Sequence, residues 1–230
     1  TNMNFWYNSV NVSASGATSR CFYITGASTV KIVSQNNVLA NTGGRVTYYI
    51  VTSGIPGLNI SNYNDLYSTG SNLAYYSTGN VATLADWQTA SSKDANSVST
   101  DPIFASPSNL HALGGGINDL GTPLVGVTTD IDGETRSLTT PDIGADEFFP
   151  LTDNVSMVAL TQPVALGACG QDSISLEVMV SNLGSNSQSM IPIVVEITGA
   201  TTLTIMDTVP GPLALNVSVN YTLSQTITTT

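Results

Sequence analysis

The sequence predicts an all-β chain in two parts: a short parallel β-solenoid over residues 1–150 and a β-sandwich over 151–230. Three observations predict it. Strand-like segments recur at a fixed interval in the first third, period-two alternation fills the last third, and a single segment reads as a helix.

In the repeat, Phe5–Val10, Val33–Val38 and Ser61–Leu66 align so that Asn8, Asn36 and Asn64 are spaced by 28 and 28. Val10, Val38 and Leu66 keep the same step, and Ile32 and Ile60 share it. A second series, Phe22-Tyr23, Tyr48-Tyr49 and Tyr75-Tyr76, follows at 26 to 27 residues. Short apolar segments bounded by Gly, Ser and Asn suit coils stacked about 4.8 Å apart. An Asn at the same place in every coil can bond its amide to the amides above and below, satisfying a polar group at a bend. The expected ladder is Asn8, Asn36 and Asn64, with Val10, Val38 and Leu66 as an aliphatic column inside.

After Tyr76 the pattern changes. Thr83–Ala90 reads as a short helix, with Thr83 as N-cap, Asp86 as the acidic partner of a capping box, and Leu84 and Trp87 on one face. Such a helix would cover the last coil, whose open edge would otherwise recruit other strands. Trp87 is expected to be its packing plug. Beyond Pro150, alternating segments at 155–160, 173–180, 193–197, 202–206 and 217–223 are separated by turn signals at Leu166-Gly167, Asn182–Asn186 and Pro210-Gly211-Pro212. That spacing argues for a β-sandwich. Its last strand is expected to be missing, which would leave an open edge.

Composition narrows the partners. Charged residues are 9% of the chain, against about 25% in an average domain. Five Lys and Arg face sixteen Asp and Glu, for a net charge of -11. Nucleic acid needs a basic stripe and is excluded, and an anionic membrane surface is disfavoured. A hydrophobic fraction of 41% is enough for a core, and no apolar run reaches the roughly 18 residues of a membrane helix. A surface of Ser, Thr, Asn and Gly with little Lys suits an extracellular or cell-surface protein. Asn-x-Ser/Thr sequons at Asn11, Asn59, Asn154, Asn216 and Asn220 carry little weight in a chain so rich in these residues. Cys21 and Cys169 leave three readings open: a disulfide, two buried thiols, or a thiol paired elsewhere. Both ends read as the inside of strands, so the chain is expected to be a fragment whose partners include other domains of one longer chain.

Candidate chemistry is sparse. The single histidine, His111, reads as a strand residue, and no nucleophile elbow or phosphate loop occurs; Gly114-Gly115-Gly116 has no Lys-Ser/Thr after it. Asp130, Asp132 and Glu134 form half of a calcium loop, because hard cations want several oxygens and a Gly turn. The twelfth position counted from Asp130 is Pro141, so an EF-hand fails. A looser structural calcium site and a plain Asx-turn at Asp132-Gly133 both remain. Asp146 and Glu147 are expected to pair with Arg136 and lock the cap. In the repeat, Asp65, Lys31, Arg20 and Arg45 share no column, so no catalytic residues are assigned there.

The succession Asn64-Asp65-Leu66-Tyr67, Trp87, Asp94–Val98, Asp101–Phe104, Asp130–Gly133 and Pro141–Glu147 resembles the C-terminal end of bacterial right-handed parallel β-helix proteins, the pectate-lyase-like surface proteins of choice-of-anchor type. The resemblance covers about residues 5–149, and Asp142-Ile143-Gly144-Ala145-Asp146-Glu147 is its most specific part. Leu176–Gly184 with Gln188–Pro192 resembles the bacterial cell-adhesion-related domain of immunoglobulin-like type. Together they imply β-helix coils with a C-terminal cap, then an immunoglobulin-like module, in a surface protein of gliding or type IX-secreting bacteria. A structural or adhesive role follows, with cell-surface glycans or proteins as partners. The alternatives are a polysaccharide lyase or hydrolase whose catalytic coils precede this segment, and a carbohydrate-binding rod with Trp6, Tyr7 and Tyr63 as stacking platforms.

Overall fold

The computed structural model describes residues 2–26, 29–163, 173–199 and 202–228. The chain is all-β, with several sheets and none closed into a barrel. It divides into two compact units, Thr1–Phe149 and Pro150–Thr230.

In the first unit the chain makes three passes over the same three sheets. The first pass is β1 (Asn2–Trp6), β2 (Ser9–Asn11) and β3 (Arg20–Ile24). The second is β4 (Lys31–Gln35), β5 (Val38–Asn41) and β6 (Val46–Val51). The third is β7 (Leu58–Asn62), β8 (Asp65–Ser68) and β9 (Ala74–Ser77). The sheets run β1-β4-β7, β2-β5-β8 and β3-β6-β9, all parallel, and β10 (Gly79–Val81) folds back antiparallel on β9. Parallel neighbours need a long return connection, and here each return passes through the other two sheets.

Register decides which side chains stack. Val10 pairs with Leu39 and Leu39 with Leu66. The aliphatic column is therefore Val10, Leu39 and Leu66, not Val38, which pairs with Ser9 and Asp65 on the opposite face of its sheet. Phe22 pairs with Tyr48 and Tyr48 with Ala74, whereas Tyr23, Tyr49 and Tyr75 form the outward column. Ile32 aligns with Leu58, and an irregularity at that point sets Ile60 opposite Val33. Ile60 is exposed, whereas Val33 beside it is buried.

Helix α1 (Leu84–Ser91) carries the expected capping box: Thr83 Oγ1 accepts the Asp86 N–H, and the Asp86 carboxylate accepts the Thr83 N–H. Trp87 is fully buried. Its indole stacks on Tyr48 at 5.2 Å between centroids and meets Tyr76 edge-on at 5.4 Å. The small Ala74 above Tyr48 leaves the room that the indole fills. Residues 98–149 then cross the outer face of the β2-β5-β8 sheet, with a hairpin of β11 (Phe104–Ser106) and β12 (Asn109–Ala112). Val38 and Ala40 pack there against Ala112, Ile117 and Ile143.

The second unit holds β13 (Val155–Gln162), β14 (Ser173–Ile174), β15 (Glu177–Asn182), β16 (Ile191–Ile197), β17 (Leu203–Val209), β18 (Ser218–Thr222) and β19 (Ile227–Thr228). The sheets are β13-β15-β18, β16-β17 and β14-β19, all antiparallel. Leu176, Val178, Val180, Ile193, Ile205 and Leu223 form its core. The alternation of Ile191 and Ile193 inward with Pro192 and Val194 outward is the period of two expected of a half-buried strand.

Candidate functional site: the corner ladder, the strap and an arginine cleft

Each corner between the first and second sheets is a left-handed residue followed by an asparagine. Tyr7, Asn36 and Tyr63 have φ of 52°, 56° and 55°, a conformation that a bulky L-residue adopts only under tertiary constraint. Asn8, Asn37 and Asn64 come next. Asn37 Oδ1 accepts both the backbone N–H (3.0 Å) and the side-chain amide (2.9 Å) of Asn8. Asn64 Oδ1 takes the same pair from Asn37, at 3.0 and 3.1 Å. The ladder therefore runs through Asn37, and the expectation of Asn36 is corrected by one residue. Asn36 occupies the left-handed corner instead. Its carboxamide reaches outward, accepting the Thr122 N–H (2.9 Å) and donating to the Thr122 carbonyl (2.7 Å).

The ladder ends on a carboxylate. Asn64 Nδ2 donates to Asp94 Oδ1 at 3.0 Å, and the Asn64 N–H donates to Ser97 Oγ at 2.8 Å. Asp94 also accepts Ser97 Oγ–H (2.6 Å) and the Trp87 indole N–H (2.7 Å). Charge-assisted bonds of this kind are about twice as strong as neutral ones, so one buried anion ties the amide row, the helix and the following turn together. The sequence signals Trp87 as a plug but gives no sign of Asp94, because the bond depends on α1 turning back over the third pass.

The Asp142–Glu147 motif is a set of structural clasps. Asp142 accepts the N–H groups of Asp119 (2.6 Å) and Phe148 (2.7 Å), and burial nevertheless pushes its carboxyl up to about 7. Ile143, on the strap that residues 98–149 form across the sheet, is buried against Val38 and Ala40. Gly144 has φ of 109°, and a Cβ there would lie 2.9 Å from Ser9 Oγ and 3.0 Å from Val38 Cγ2, so a side chain would push the strap off the sheet. Glu147 pairs with the buried Arg136 at 3.3 Å and accepts the N–H groups of Ser137 and Asp142. Arg136 also donates to the carbonyls of Gly144 and Ala145 and lies 4.1 Å over the Tyr7 ring. Asp146 does not join this pair. It accepts the Ala112 N–H at 3.2 Å and faces His111. Tyr7, buried between Arg136 and Thr122, is not a stacking platform, and Trp6 and Tyr63 are half-buried.

Asp130, Asp132 and Glu134 are not drawn into one ligand set. Asp130 spends Oδ1 on the N–H groups of Asp132 (3.0 Å) and Glu134 (2.7 Å), and Oδ2 on that of Glu147 (3.0 Å). These backbone donors make it a turn-former and, against its partial desolvation, hold its carboxyl below the usual range. Asp132 turns to His111, and Glu134 is exposed with no side-chain bond among the described residues. Asp65, in the column with Ser9 and Val38, is fully buried. One of its oxygens accepts the Thr100 N–H (2.9 Å), the other has no partner, and burial raises its pKa well above the carboxylate range.

On the outer face of the β3-β6-β9 sheet, Arg20 and Arg45 line a cleft of about 250 Å³ with Tyr49, Asn72, Tyr75 and Asn80. The Arg20 guanidinium lies 3.9 Å over Tyr23 and 5.0 Å from the Tyr49 centroid. Neither arginine pairs with a carboxylate among the described residues. Cys21 is half-buried, its thiol pushed up to about 12 by burial, and it donates to the Ala40 carbonyl at 3.3 Å. Cys169 lies outside the described residues, as does the Leu166-Gly167 turn. Among the described residues, no helix is long and apolar enough to cross a membrane. No protein-family model matches the chain, and no curated protein or solved structure matches it significantly.

Proposed function

We propose that residues 1–149 are the closing coils and cap of a right-handed parallel β-helix and that residues 150–230 are an immunoglobulin-like module. The chain then serves a structural and adhesive role as part of a larger extracellular bacterial surface protein, of the kind exported by type IX secretion. The observation that carries this reading is the row Asn8, Asn37, Asn64 and Asp94, each side chain bonded to the next at the same corner of successive passes. A row of that kind is useful to a stack and to little else. It gives rigidity along one axis without any reactive group. Its natural companions are other domains of one chain, and glycans or proteins at a cell surface.

A second reading, a non-catalytic carbohydrate-binding rod, is favoured by the Arg20 and Arg45 cleft. Two guanidinium groups that pair with no carboxylate among the described residues suit an anionic glycan, because the fork matches a carboxylate or sulfate.

The test is binding of the immobilised protein to whole cells and to a panel of neutral and anionic glycans, with product release measured in parallel. Retention of cells or surface proteins without turnover supports the adhesive role. Retention of anionic glycans alone, lost in an R20A/R45A variant of unchanged melting temperature, supports the binding rod. Release of unsaturated or reducing sugar ends by this chain overturns both.

A further inference from the structure

We propose that His111, Asp132 and Asp146 form a binding site for a divalent transition metal of the zinc class, joining the β11–β12 hairpin to the loop that closes the strap.

The three side chains come from segments far apart in sequence. His111 stands on β12, Asp132 on the turn built by Asp130, and Asp146 in the closing motif. One donor atom from each lies within 4.8 Å of the other two. Asp146 is 7% exposed. Its Oδ2 is fixed by the Ala112 N–H, and its Oδ1 takes no hydrogen bond from any described residue. A largely buried carboxylate that keeps one oxygen free of hydrogen bonds beside an imidazole can offer that oxygen to a metal.

The imidazole geometry supplies the second argument. The Asn109 carboxamide oxygen accepts the His111 backbone N–H at 3.3 Å and lies against ring Nδ1. The double contact orients that oxygen toward the ring, so Nδ1 carries the hydrogen. Nε2 of the neutral ring then presents a lone pair to Asp132 Oδ2 at 2.6 Å. At that distance a proton bridges the two atoms as an imidazolium–carboxylate pair. A bound metal would take the place of that proton, with the ligands parting to about 3.3 Å in a tetrahedral arrangement. A ring whose far nitrogen donates to a fixed oxygen is the usual setting of a metal-bound histidine.

Donor chemistry selects the ion. One imidazole nitrogen and two carboxylates suit zinc, cobalt or manganese. Calcium wants six to eight oxygens, and Asp130, the nearest further carboxylate, is spent on three backbone N–H groups. The His111 and Asp132 side chains are 43% and 52% exposed, so a fourth position stays open to water.

The test is calorimetric titration of the metal-stripped chain with zinc chloride and separately with calcium chloride, together with the visible spectrum of the cobalt-loaded protein. One zinc per chain is expected, with no competition from millimolar calcium and with cobalt absorption bands of a four- or five-coordinate site. H111A should weaken zinc binding at least 100-fold while leaving the apo melting temperature within a degree. N109A, acting through the ring orientation, should weaken it roughly tenfold. D132N is the second ligand variant, since it is exposed and its loss does not threaten folding. No binding tighter than millimolar, zinc binding unchanged by both H111A and D132N, or equal affinity for calcium overturns the proposal.

Discussion

The two units bury different things. Of the seventeen buried polar or charged residues described, fifteen lie in the first unit, and only Ser181 and Asn182 lie in the second. The first unit satisfies its corner amides by stacking, since each finds its acceptor on the next pass, and its closing carboxylates with backbone N–H groups. The second relies on apolar burial between strands and leaves Met157 (60%) and Leu160 (55%) exposed along its outer strand β13. A repeated layer makes buried polar groups tolerable because the partner is supplied by the same position one step away. A non-repeating sheet has no such supply and must hide hydrocarbon instead.

The sharpest way to break this comparison is W87A. It opens a large void above Tyr48 and strands one oxygen of Asp94, and it should cost the first unit about 3–5 kcal/mol. Hydrogen exchange on the whole chain should show β4–β9 losing protection while β15–β18 keep theirs. Equal loss in both would mean that the units share one cooperative transition.

The next effect separates neighbouring asparagines. N37A strips the buried Asn64 Oδ1 of both its donors, a cost of about 1–3 kcal/mol, and takes the acceptor from the Asn8 N–H, while the Asn8 amide keeps the Trp6 carbonyl. N36G removes the bonds to Thr122 while keeping the left-handed corner that glycine tolerates. Chemical denaturation should therefore rank N37A as the more harmful, and the reverse order would break the ladder assignment.

The smallest effect is one of pH. In the first unit burial raises Asp142 to about 7, so the folded state holds a proton more tightly than the unfolded chain. Its contribution to stability is full below about 4 and is lost as pH rises through about 7. In the second unit the N–H groups of Ser224 and Thr208 and the Tyr221 hydroxyl hold Asp207 down to about 2. Its contribution is present above about 4 and is lost as pH falls through about 2. Acidification should thus favour the first unit between pH 7 and 4 and weaken the second below 4. In melting curves resolved by unit, D142N should reduce the first unit's gain, which Asp65 shares, and D207N should flatten the second unit's loss.

The same contrast explains what could be read from the sequence. The period of the repeat was legible, because strand-forming segments bounded by Asn and Gly recur. Its register was not, because Asn36 and Asn37 are adjacent and the true steps are 29 and 27, so even spacing selects the wrong one. Helix α1, its cap and Trp87 were legible from local chemistry alone. The Arg136 bond to Glu147 followed from the scarcity of cations. Asp146, Asp94 and the proximity of His111 to Asp132 were not legible, since each depends on how irregular chain folds back across a sheet.

The amide row has one direction. From rung to rung each amide donates to the next side chain on the C-terminal side, and the Asp94 carboxylate has no hydrogen to hand on. One side chain thus acts as a stop codon written in hydrogen bonds: swapping its acid for an amide would give a further layer something to receive, and the stack would no longer know where to finish.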